Sequence, residues 1–241
     1  MRVKKRYRPF YKQFLRLRVN IQNRPKLFNF KKQKWSMFQQ YSESQLKFFK
    51  RFRIKDQARF FVKKFASRGN SFQKKFRNNL QERKLFTLFY GGLKKKYFKT
   101  CVRRCIGSMN FKNLSIHFNV IRLFESKLDV VLYRSGFCLS IKEARKLILH
   151  KHILVNKQFV TKTSYLLKNN DLIEVSENIK ARNLVKNSLI KFNFWPTPSK
   201  QLLINYKTLQ IIFLYNKSLD FSYILNYHLN VGSVIANIKS F

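Results

Sequence analysis

Acidic residues, cysteine and long apolar runs are scarce in this sequence. Only 10 Asp and Glu stand against 52 Lys and Arg, which gives a formal net charge of +42 on 241 residues. The apolar runs fall far short of the roughly 20 residues that a membrane-spanning helix needs, so no membrane partner is predicted. The three cysteines are too few and too irregular for a disulfide framework. Cys101 and Cys105 could share a helical face, but no further zinc ligands stand nearby, so neither a metal nor a cofactor is predicted.

The scarcity of acids also argues against an enzyme. Nucleophilic and acid–base catalysis need a carboxylate, histidine or cysteine beside a group that tunes it. Asp129 is better explained as a helix-start residue, and Asp220 lies in an apolar tail without a titrating partner. The sequence has no Gly-rich phosphate loop and no His/Cys nucleophile pair. It therefore predicts neither catalytic residues nor a small-molecule substrate.

Positive charge interleaved with aromatic rings is what the sequence has in excess. It contains 26 Phe and 11 Tyr among its basic residues. Aromatic faces stack on unpaired bases while Lys and Arg hold phosphates, so RNA is the predicted partner rather than a lipid surface. Most basic residues lie before residue 110, whereas residues 201–241 are mostly apolar. This asymmetry indicates an RNA-facing first half and a protein-facing tail.

The N-terminal residues 1–45 are basic and aromatic without steady periodicity, and we interpret them as an extended arm. A basic start so poor in acids resembles a transit peptide. The alternative, a permanent RNA-binding tail, is favoured because Phe, Lys, Asn and Ile abound in the chain. Their codons are rich in A and T, which is typical of an organellar gene whose product needs no import signal. Residues 45–77 carry Phe at roughly helical spacing and predict one or two helices.

Residues 127–175 form one compact unit in the sequence. A short helix is predicted to end at Ser135-Gly136, and a second to start at Ser140, which makes a capping box with Glu143. Four apolar residues of the second helix share a stripe that we expect to be buried: Ile141, Ala144, Leu147, Ile148. The opposite side is expected to present cations: Lys142, Arg145, Lys146. A β-branched strand follows at 153–155.

Basic helices precede this unit, and a helix and strands follow it. The segment QERKLFTLFYGGLKKKYFKTCVRRC, residues 81–105, predicts a helix that ends at Gly91-Gly92 and another from Leu93 to Cys105. The cations of the latter are dense enough that at least one face is expected to contact phosphate. After the unit we expect a helix over 177–191, a rigid Pro loop at 195–198, and strands within 205–216 and 231–238.

The 127–175 unit resembles the S4 RNA-binding domain family. The family pattern is R-L-D-x-x-x-Y-R-x-G-F, then S-x-x-x-A-R-Q-L-V-x-H-x-H-I-x-V-N-G, then P-S-Y-x-x-x-x-G-D-x-I-x-V. This sequence matches it at Leu128, Asp129, Tyr133, Arg134, Gly136, Phe137, Ser140, Ala144, Arg145, Leu147, His150, His152, Ile153, Val155, Asn156, Ser164, Tyr165, Asp171, Ile173 and Val175. Lys127 replaces Arg and loses its bidentate fork. Lys157 replaces Gly, so a strained turn or another turn type is expected there, whereas Asn170, also in place of Gly, tolerates the left-handed region.

The flanks resemble a ribosomal protein. QERKLFTLFYGGLKKKYFK resembles the family segment E-K-Q-K-L-R-x-x-Y-G-L-x-E-R-Q-F, and NYKTLQIIFLYNKSLDFSY resembles the tail of the plant-type mitochondrial version. The chain is thus identified as a member of the small-subunit ribosomal protein S4 (uS4) family. The resemblance implies a non-catalytic, structural role: binding the 5′ domain of small-subunit ribosomal RNA, nucleating assembly, and lying near the mRNA entry channel beside S3- and S5-type proteins.

Two alternatives accompany this resemblance. The same domain also occurs in pseudouridine synthases, so a free RNA-binding or RNA-modifying factor is the alternative function. The tail favours the mitochondrion over the plastid as the compartment.

The resemblance implies an α+β fold in which a basic N-terminal helical domain joins a small S4-type domain, two helices packed on a small β-sheet, with an apolar, β-containing C-terminal tail. We expect residues 1–75 to be a basic extension of arm and helices, and 76–124 a helical RNA-binding domain. Residues 125–178 would be the S4-type domain, and 179–241 a C-terminal helix, Pro loop and strands that pack on the protein or its neighbours.

The residues expected to bind RNA lie in two groups. The helical domain contributes Arg83, Lys84, Lys94, Lys95, Lys96, Lys99, Arg103 and Arg104. The S4-type domain contributes Lys127, Arg134, Lys142, Arg145, Lys146, His150, Lys151 and His152. Their expected chemistry is contact with phosphate and 2′-hydroxyl groups of folded RNA. For the two histidines, a structural role at the helix end or beneath the hairpin is an equal alternative.

Overall fold

The computed structural model describes residues 11–17, 29–50, 72–107, 116–191 and 201–214, together with 232, 234 and 235. The chain divides into two compact units, Met1–Phe89 with Leu225–Phe241, and Tyr90–Ile224. The described residues contain both helices and an antiparallel sheet, which confirms the predicted α+β class. No helix in that part of the chain is long and apolar enough to cross a membrane.

The first unit contains the helices α1 (Tyr11–Leu17), α2 (Gln33–Lys50) and α3 (Phe72–Phe89). The interpretation of residues 1–45 as an extended arm is therefore wrong where the structure describes them, because α1 and much of α2 fall within this range. Aromatic contacts stabilise a region where periodicity is weak. Ring centroids 4.8–6.1 Å apart link a series of four side chains: Tyr11, Phe30, Trp35, Phe38.

The predicted strand at 231–238 is wrong where the structure describes it. Gly232, Val234 and Ile235 have helical backbone, and both aliphatic side chains are buried. A short apolar run fits a buried strand or a buried helix equally well, so the contacts around it decide between them. Much of the predicted helical region at 45–77 and the Pro loop at 195–198 lie outside the described residues.

The second unit begins with four helices: α4 (Lys95–Gly107), α5 (Ile116–Glu125), α6 (Leu128–Arg134) and α7 (Ile141–Leu149). Each packs on the next along the chain. Gly91 and Gly92, which lie between α3 and α4, have φ angles of 73° and 77°. Positive φ values suit glycine because it lacks a Cβ, so the predicted helix end at this pair is confirmed.

The sheet of the second unit has five antiparallel strands: β1 (Ile153–Val155), β2 (Gln158–Phe159), β3 (Asp171–Val175), β4 (Leu202–Asn205) and β5 (Gln210–Phe213). The order is β2-β1-β3-β5-β4, and α8 (Ile179–Ile190) connects β3 to β4. Within the segment 205–216, where a strand is predicted, the residues up to 214 hold the end of β4, a turn and β5, so the strand is present but shorter than the segment. β5 pairs directly with β3, so this hairpin extends the sheet of the S4-type unit.

One apolar core joins the sheet to α6, α7 and α8. Burial alternates along β3, where Asp171, Ile173 and Val175 face inward, as expected for a half-buried strand. The hairpin of β4 and β5 contributes four core residues: Leu202, Leu209, Ile211 and Phe213. Because a buried aliphatic or aromatic side chain contributes about 1.5–3 kcal/mol, this hairpin is part of the folding unit rather than an accessory.

The turn between β1 and β2 consists of Asn156 and Lys157, with φ angles of 50° and 66°. Two consecutive positive φ values define a type I′ turn, whose twist suits a two-residue hairpin. Of the two alternatives open at Lys157, the structure therefore shows the strained one, a lysine in the left-handed region. Asn170 is left-handed too, with a φ of 65°, as its side chain tolerates.

Candidate nucleic-acid interface

α7 begins with the local interactions that its sequence predicts. The Ser140 hydroxyl accepts a hydrogen bond from the Glu143 N–H at 3.3 Å. The Glu143 carboxylate accepts one from the Leu139 N–H at 2.9 Å. A capping box places that second bond on the N–H of the cap residue itself, so here it is displaced by one residue. Together the two bonds fix the direction in which the chain enters α7.

The apolar stripe of α7 is buried as predicted: Ile141, Ala144, Leu147, Ile148. Exposed or half-exposed positions of α7 and of the turn after it carry five of the cationic or titratable residues predicted to bind RNA. We call this set the α7 surface: Lys142, Lys146, His150, Lys151 and His152. Lys151 has a φ of 58°, a left-handed conformation that ends the helix and turns the chain toward β1. The rings of the two histidines lie 6.0 Å apart.

Arg145 does not belong to the α7 surface. Its Nε donates to Asp129 Oδ2 at 2.7 Å, its Nη1 to the Gly91 carbonyl at 2.9 Å and its Nη2 to the Tyr90 carbonyl at 3.1 Å. The Asp129 side chain is only 3% exposed. Arg145 is thus not directed outward like Lys146: three of its five N–H groups donate to a buried carboxylate and two carbonyl groups, although 27% of the side chain remains exposed. Arg145 instead ties the segment before α4 to α6 and α7.

Arg134 likewise has protein partners. Its Nε and Nη2 donate to the two carboxylate oxygens of Glu125 at 3.2 and 3.1 Å, and the Tyr90 hydroxyl donates to the same carboxylate at 2.9 Å. Burial is the largest single influence and opposes the charge on Arg134, but the charge and hydrogen bonds of Glu125, together with Tyr90 and Tyr133, raise the pKa of the guanidinium. Burial, reinforced by Glu125, also raises the pKa of Tyr90. Such a bidentate, partly desolvated pair holds α5 and α6 together.

Lys127 is buried as well, with 3% of its surface exposed. Its Nζ lies 4.3 Å from the centroid of the Tyr97 ring and 4.6 Å from that of Phe124. Burial lowers the pKa of Lys127 to about 8, although the nearby Asp129 acts in the opposite direction. Burial removes the hydration of the ammonium group, and attraction to the two aromatic faces offsets part of that loss. The structure thus places Lys127 in the interior, away from the position that a phosphate contact requires.

The acids of this region all accept hydrogen bonds; Glu125, Asp129 and Asp171 are buried, and Glu143 and Glu174 are half-buried. Each of five carboxylates accepts a hydrogen bond from an arginine, a tyrosine, an amide side chain or a backbone N–H: Glu125, Asp129, Glu143, Asp171 and Glu174. Their charge is therefore directed at interior arginines and at backbone or amide donors. The cations of the α7 surface consequently dominate the potential outside.

α4 presents a second set of cations. Its inner side buries Phe98, Cys101, Val102 and Cys105, which confirms that the two cysteines share a helical face. Its outer side and the residue before it carry Lys94, Lys96, Lys99, Arg103 and Arg104, of which Lys99 is half-buried and the others are exposed. Nothing is described of the Lys95 side chain.

The buried thiols of α4 belong to the core. Burial raises the pKa of Cys105 to about 11, which keeps the thiol neutral. Within the described ranges, no cluster of three His, Cys, Asp or Glu side chains could hold a metal ion. The inner side of α4 is thus an apolar packing surface, and its chemistry toward a ligand lies on the outer side.

Arg83 and Lys84 lie in α3 of the first unit, where Lys84 is exposed and Arg83 is half-buried. The predicted RNA-binding residues therefore divide into three groups. The first group is in α3. The second consists of the cations of α4 and the α7 surface, which belong to the second unit. The third group has interior protein partners: Lys127, Arg134 and Arg145.

The sequence interpretation missed the interior role of Glu125 and of Tyr90. It correctly predicted that Asp129 lies at the start of a helix, in the first turn of α6, but not that this carboxylate is buried and pairs with Arg145. A signal was present, because Glu125 and Asp129 stand in the apolar segment LFESKLDVVL within a chain that has few acids. A carboxylate among apolar neighbours predicts a buried partner, since an isolated buried charge is very unfavourable. Which arginines would pair with them depends on tertiary packing.

Comparisons with known proteins place these features in a family. A family model described as the S4 domain matches residues 126–173. The "Small ribosomal subunit protein uS4m" of Marchantia polymorpha is 35% identical over 161 residues, which are 64% of this chain and 76% of that protein. The protein of the same name from Reclinomonas americana is 30% identical over 174 residues, 68% of this chain and 66% of that protein.

Coverage of other relatives is shorter. The uS4m of Dictyostelium citrinum is 40% identical over 110 residues, 46% of this chain, and the chain spans 31% of that protein's length. The matched lengths therefore range from about a third to three quarters of these relatives.

Proposed function

The chain belongs to the uS4 family of small ribosomal subunit proteins, and we propose that it is a structural constituent of the mitochondrial small subunit that binds the 5′ domain of its ribosomal RNA. The segregation of charge in the second unit carries this proposal. The five carboxylates between 125 and 174 all accept hydrogen bonds and three of them are buried, whereas the α7 surface and the outer side of α4 present cations. Cations displayed in this way neutralise RNA phosphates and release counterions.

The relatives favour a ribosomal role over an enzymatic one. Those from Marchantia, Reclinomonas and Dictyostelium are named as small ribosomal subunit proteins, and their names carry the mitochondrial suffix. The Marchantia match extends well beyond the S4 domain, which a shared domain alone would not produce. No observation on the described residues favours the alternative of a free RNA-binding or RNA-modifying factor.

Protein neighbours are part of the same proposal. Three aliphatic side chains of α8 and β4 are exposed: Ile179 by 74%, Ile190 by 79% and Leu203 by 55%. Exposed aliphatic groups of this size are typical of protein contacts rather than RNA contacts. They are available for contact with protein neighbours. That these neighbours are S3- and S5-type proteins close to the mRNA entry channel, and that the chain nucleates assembly, are parts of the proposal that rest on the family resemblance.

Sedimentation of mitochondrial lysate tests the assignment to the ribosome. We expect the chain to co-sediment with the small subunit and to move to lighter fractions when ribosomal RNA is digested. A chain found only in light fractions before digestion would contradict the ribosomal role and leave a free RNA-binding factor.

The RNA surface is tested by removing two of its charges. The Lys142→Gln/Lys146→Gln variant should bind a transcript of the 5′ domain more weakly, and the slope of log K against log salt should fall by about two, one for each phosphate that the variant no longer neutralises. The matched control is Lys180→Gln/Lys186→Gln, which removes the same charge from exposed positions of α8. Equal slopes for both variants would show that only total charge matters and would refute α7 as the RNA surface.

A further inference from the structure

The β1–β2 hairpin presents an aromatic side chain that the RNA surface described above does not include. Phe159, in the edge strand β2, is 60% exposed. Most described phenylalanines are buried, among them Phe86, Phe98, Phe124 and Phe137. An exposed ring at the end of a sheet leaves apolar area in water, so it is available to a partner outside the unit.

The tip of the hairpin holds a cation in a conformation that lysine rarely adopts. Lys157 is exposed, and its φ is 66°. The S4 family pattern has glycine here, and glycine adopts positive φ without a steric penalty. A lysine at this place destabilises the folded chain relative to glycine, so stability does not explain the residue. Strain of this kind is found at functional positions.

The hairpin is held rigidly to β3 below its tip. The Asn156 side chain donates to Asp171 Oδ1 at 3.0 Å and accepts from the Leu172 N–H at 3.0 Å. The Asn156 N–H also donates to the Leu172 carbonyl at 2.8 Å. Three bonds from one residue fix the turn on the sheet. Rigid presentation of a ring lowers the entropy lost when a ligand binds it.

The charges around the ring favour a nucleic acid over an apolar protein surface. Lys157 precedes Phe159 by two residues, Lys162 follows it by three, and both lysines are exposed. The nearest acids already have partners, Asp171 with Asn156 and Glu174 with the Gln210 side chain at 2.7 Å. A ring flanked in the chain by two exposed cations has the chemistry that binds an unpaired base and its phosphates.

We propose that the β1–β2 hairpin is a base-stacking site, in which Phe159 stacks on an unpaired base of ribosomal RNA and Lys157 contacts the adjoining phosphate. The proposal rests on the proposed function and adds to it a contact with a base at a second place on the unit. It is separate from the α7 surface, which acts through charge.

Substitutions of Phe159 in the full-length chain test the stacking contact. Binding of the 5′-domain transcript should weaken at least about five-fold for Phe159→Ala and Phe159→Leu, because neither side chain stacks on a base. Phe159→Trp keeps a ring that can stack on a base, so it should bind the transcript as tightly as the parent or more tightly. Since the ring is exposed, all three variants should keep the parent stability. A transcript with every base in a duplex should bind the parent and Phe159→Ala equally.

Lys157→Gly separates stability from binding. Glycine relieves the left-handed strain, so this variant should unfold at higher urea concentration than the parent while its salt slope for RNA falls by about one. Damage to the fold cannot explain a variant that is more stable than the parent and whose RNA binding has a smaller salt slope.

The outcomes distinguish this proposal from the proposed function. If Phe159→Ala and Phe159→Leu bind RNA like the parent while Lys142→Gln/Lys146→Gln still weakens binding, the stacking site is refuted and the ribosomal role stands. If leucine supports binding as well as phenylalanine, or if Phe159→Ala loses only a protein from the assembled subunit, the ring contacts an apolar protein surface. If neither the Phe159 variants nor Lys142→Gln/Lys146→Gln changed RNA binding, both proposals would be overturned.

Discussion

Arg145 and Lys146 are consecutive in α7, yet they lie in different surroundings. The guanidinium of Arg145 reaches Asp129 and the carbonyl groups of Tyr90 and Gly91, whereas Lys146 is exposed to solvent. Lys127 and Arg134 have interior partners, as Arg145 does, whereas the cations of the α7 surface are exposed or half-exposed. Cations in this chain therefore have two kinds of surroundings: some organise the interior and others are exposed to solvent.

The contrast shows why a large net charge is a poor guide to individual contacts. An interior arginine is retained by a buried carboxylate and by carbonyl groups, and its removal leaves these partners desolvated without a donor. A surface lysine loses little when it is removed from the free protein, but it contributes to binding through the counterions it displaces. Stability and salt dependence of RNA binding thus respond to different residues.

The largest stability effect is expected at the Arg134–Glu125 pair. Arg134→Ala should lower the free energy of unfolding by about 3–5 kcal/mol, because it leaves the Glu125 carboxylate buried with the Tyr90 hydroxyl as its remaining partner. Urea unfolding followed by circular dichroism measures the change. A loss below about 1 kcal/mol would place Arg134 with the surface cations and weaken the distinction between the two groups.

Arg145 and Lys146 offer the most direct comparison. Arg145→Lys keeps the charge but cannot reproduce three directed bonds, so it should cost about 2 kcal/mol of stability while leaving the salt slope of RNA binding unchanged. Lys146→Gln should do the reverse, with unchanged stability and a slope smaller by about one. If both substitutions affected the same property, the two sides of α7 would not differ in function.

Substitution of Gly91 tests the contact between the segment before α4 and the side chains of α7. A Cβ at this position would lie 2.8 Å from Ile141 Cγ2, and the φ of 73° is unfavourable for alanine. Gly91→Ala should therefore destabilise the unit by about 2 kcal/mol and disturb the bond from Arg145. The matched control is Gly92→Ala, which has a similar φ of 77°. An equal cost at both positions would mean that backbone strain, and not packing against α7, is the cause.

The smallest effect is a pH dependence at Lys127. Its pKa is about 8 in the folded protein and 10.5 as the ordinary value, so between these pH values the unfolded chain binds more protons. The free energy of unfolding must then rise with pH in this window. Cys105, whose pKa is raised from 9.0 to about 11, acts in the opposite sense above pH 9, so pH 8–9 is the clearest interval.

Lys127→Met removes this titration. We expect the variant to be the more stable protein at pH 7, and the difference from the parent to shrink by about 1 kcal/mol between pH 8 and 9. Urea unfolding of both proteins at the two pH values gives the difference. A constant difference would show that Lys127 is charged to the same degree in the folded and unfolded chains.

Local patterns in the sequence were good predictors where short-range physics decides. The capping by Ser140, the buried stripe from Ile141 to Ile148 and the turn at Gly91-Gly92 all depend on residues within a few positions of one another. The family resemblance supplied the α+β class. α1 and the start of α2 were missed because aromatic contacts between distant residues, such as Tyr11 and Phe30, stabilise them without a periodic pattern.

Side-chain positions within the candidate site differ from expectation where charge pairing over long sequence distances decides them. Arg145 lies 54 residues from Gly91 along the chain and 16 from Asp129. From the sequence, its position opposite the apolar stripe looks the same as that of Lys146. The exposed Phe159 was not singled out either, because an aromatic residue in a strand is most often buried. Lys157 in place of glycine was the one local signal at that hairpin.

The hairpin of β4 and β5 has a consequence for how the protein is made. β3 ends at Val175, but its neighbour β5 does not begin until Gln210. At about 5–20 residues per second of synthesis, β3 waits on the order of seconds with one edge open. An unpaired edge of this kind can recruit other chains. A growing chain of this protein therefore has a brief period in which chaperones or early contact with RNA would protect it from aggregation, and that period closes once Phe213 enters the core.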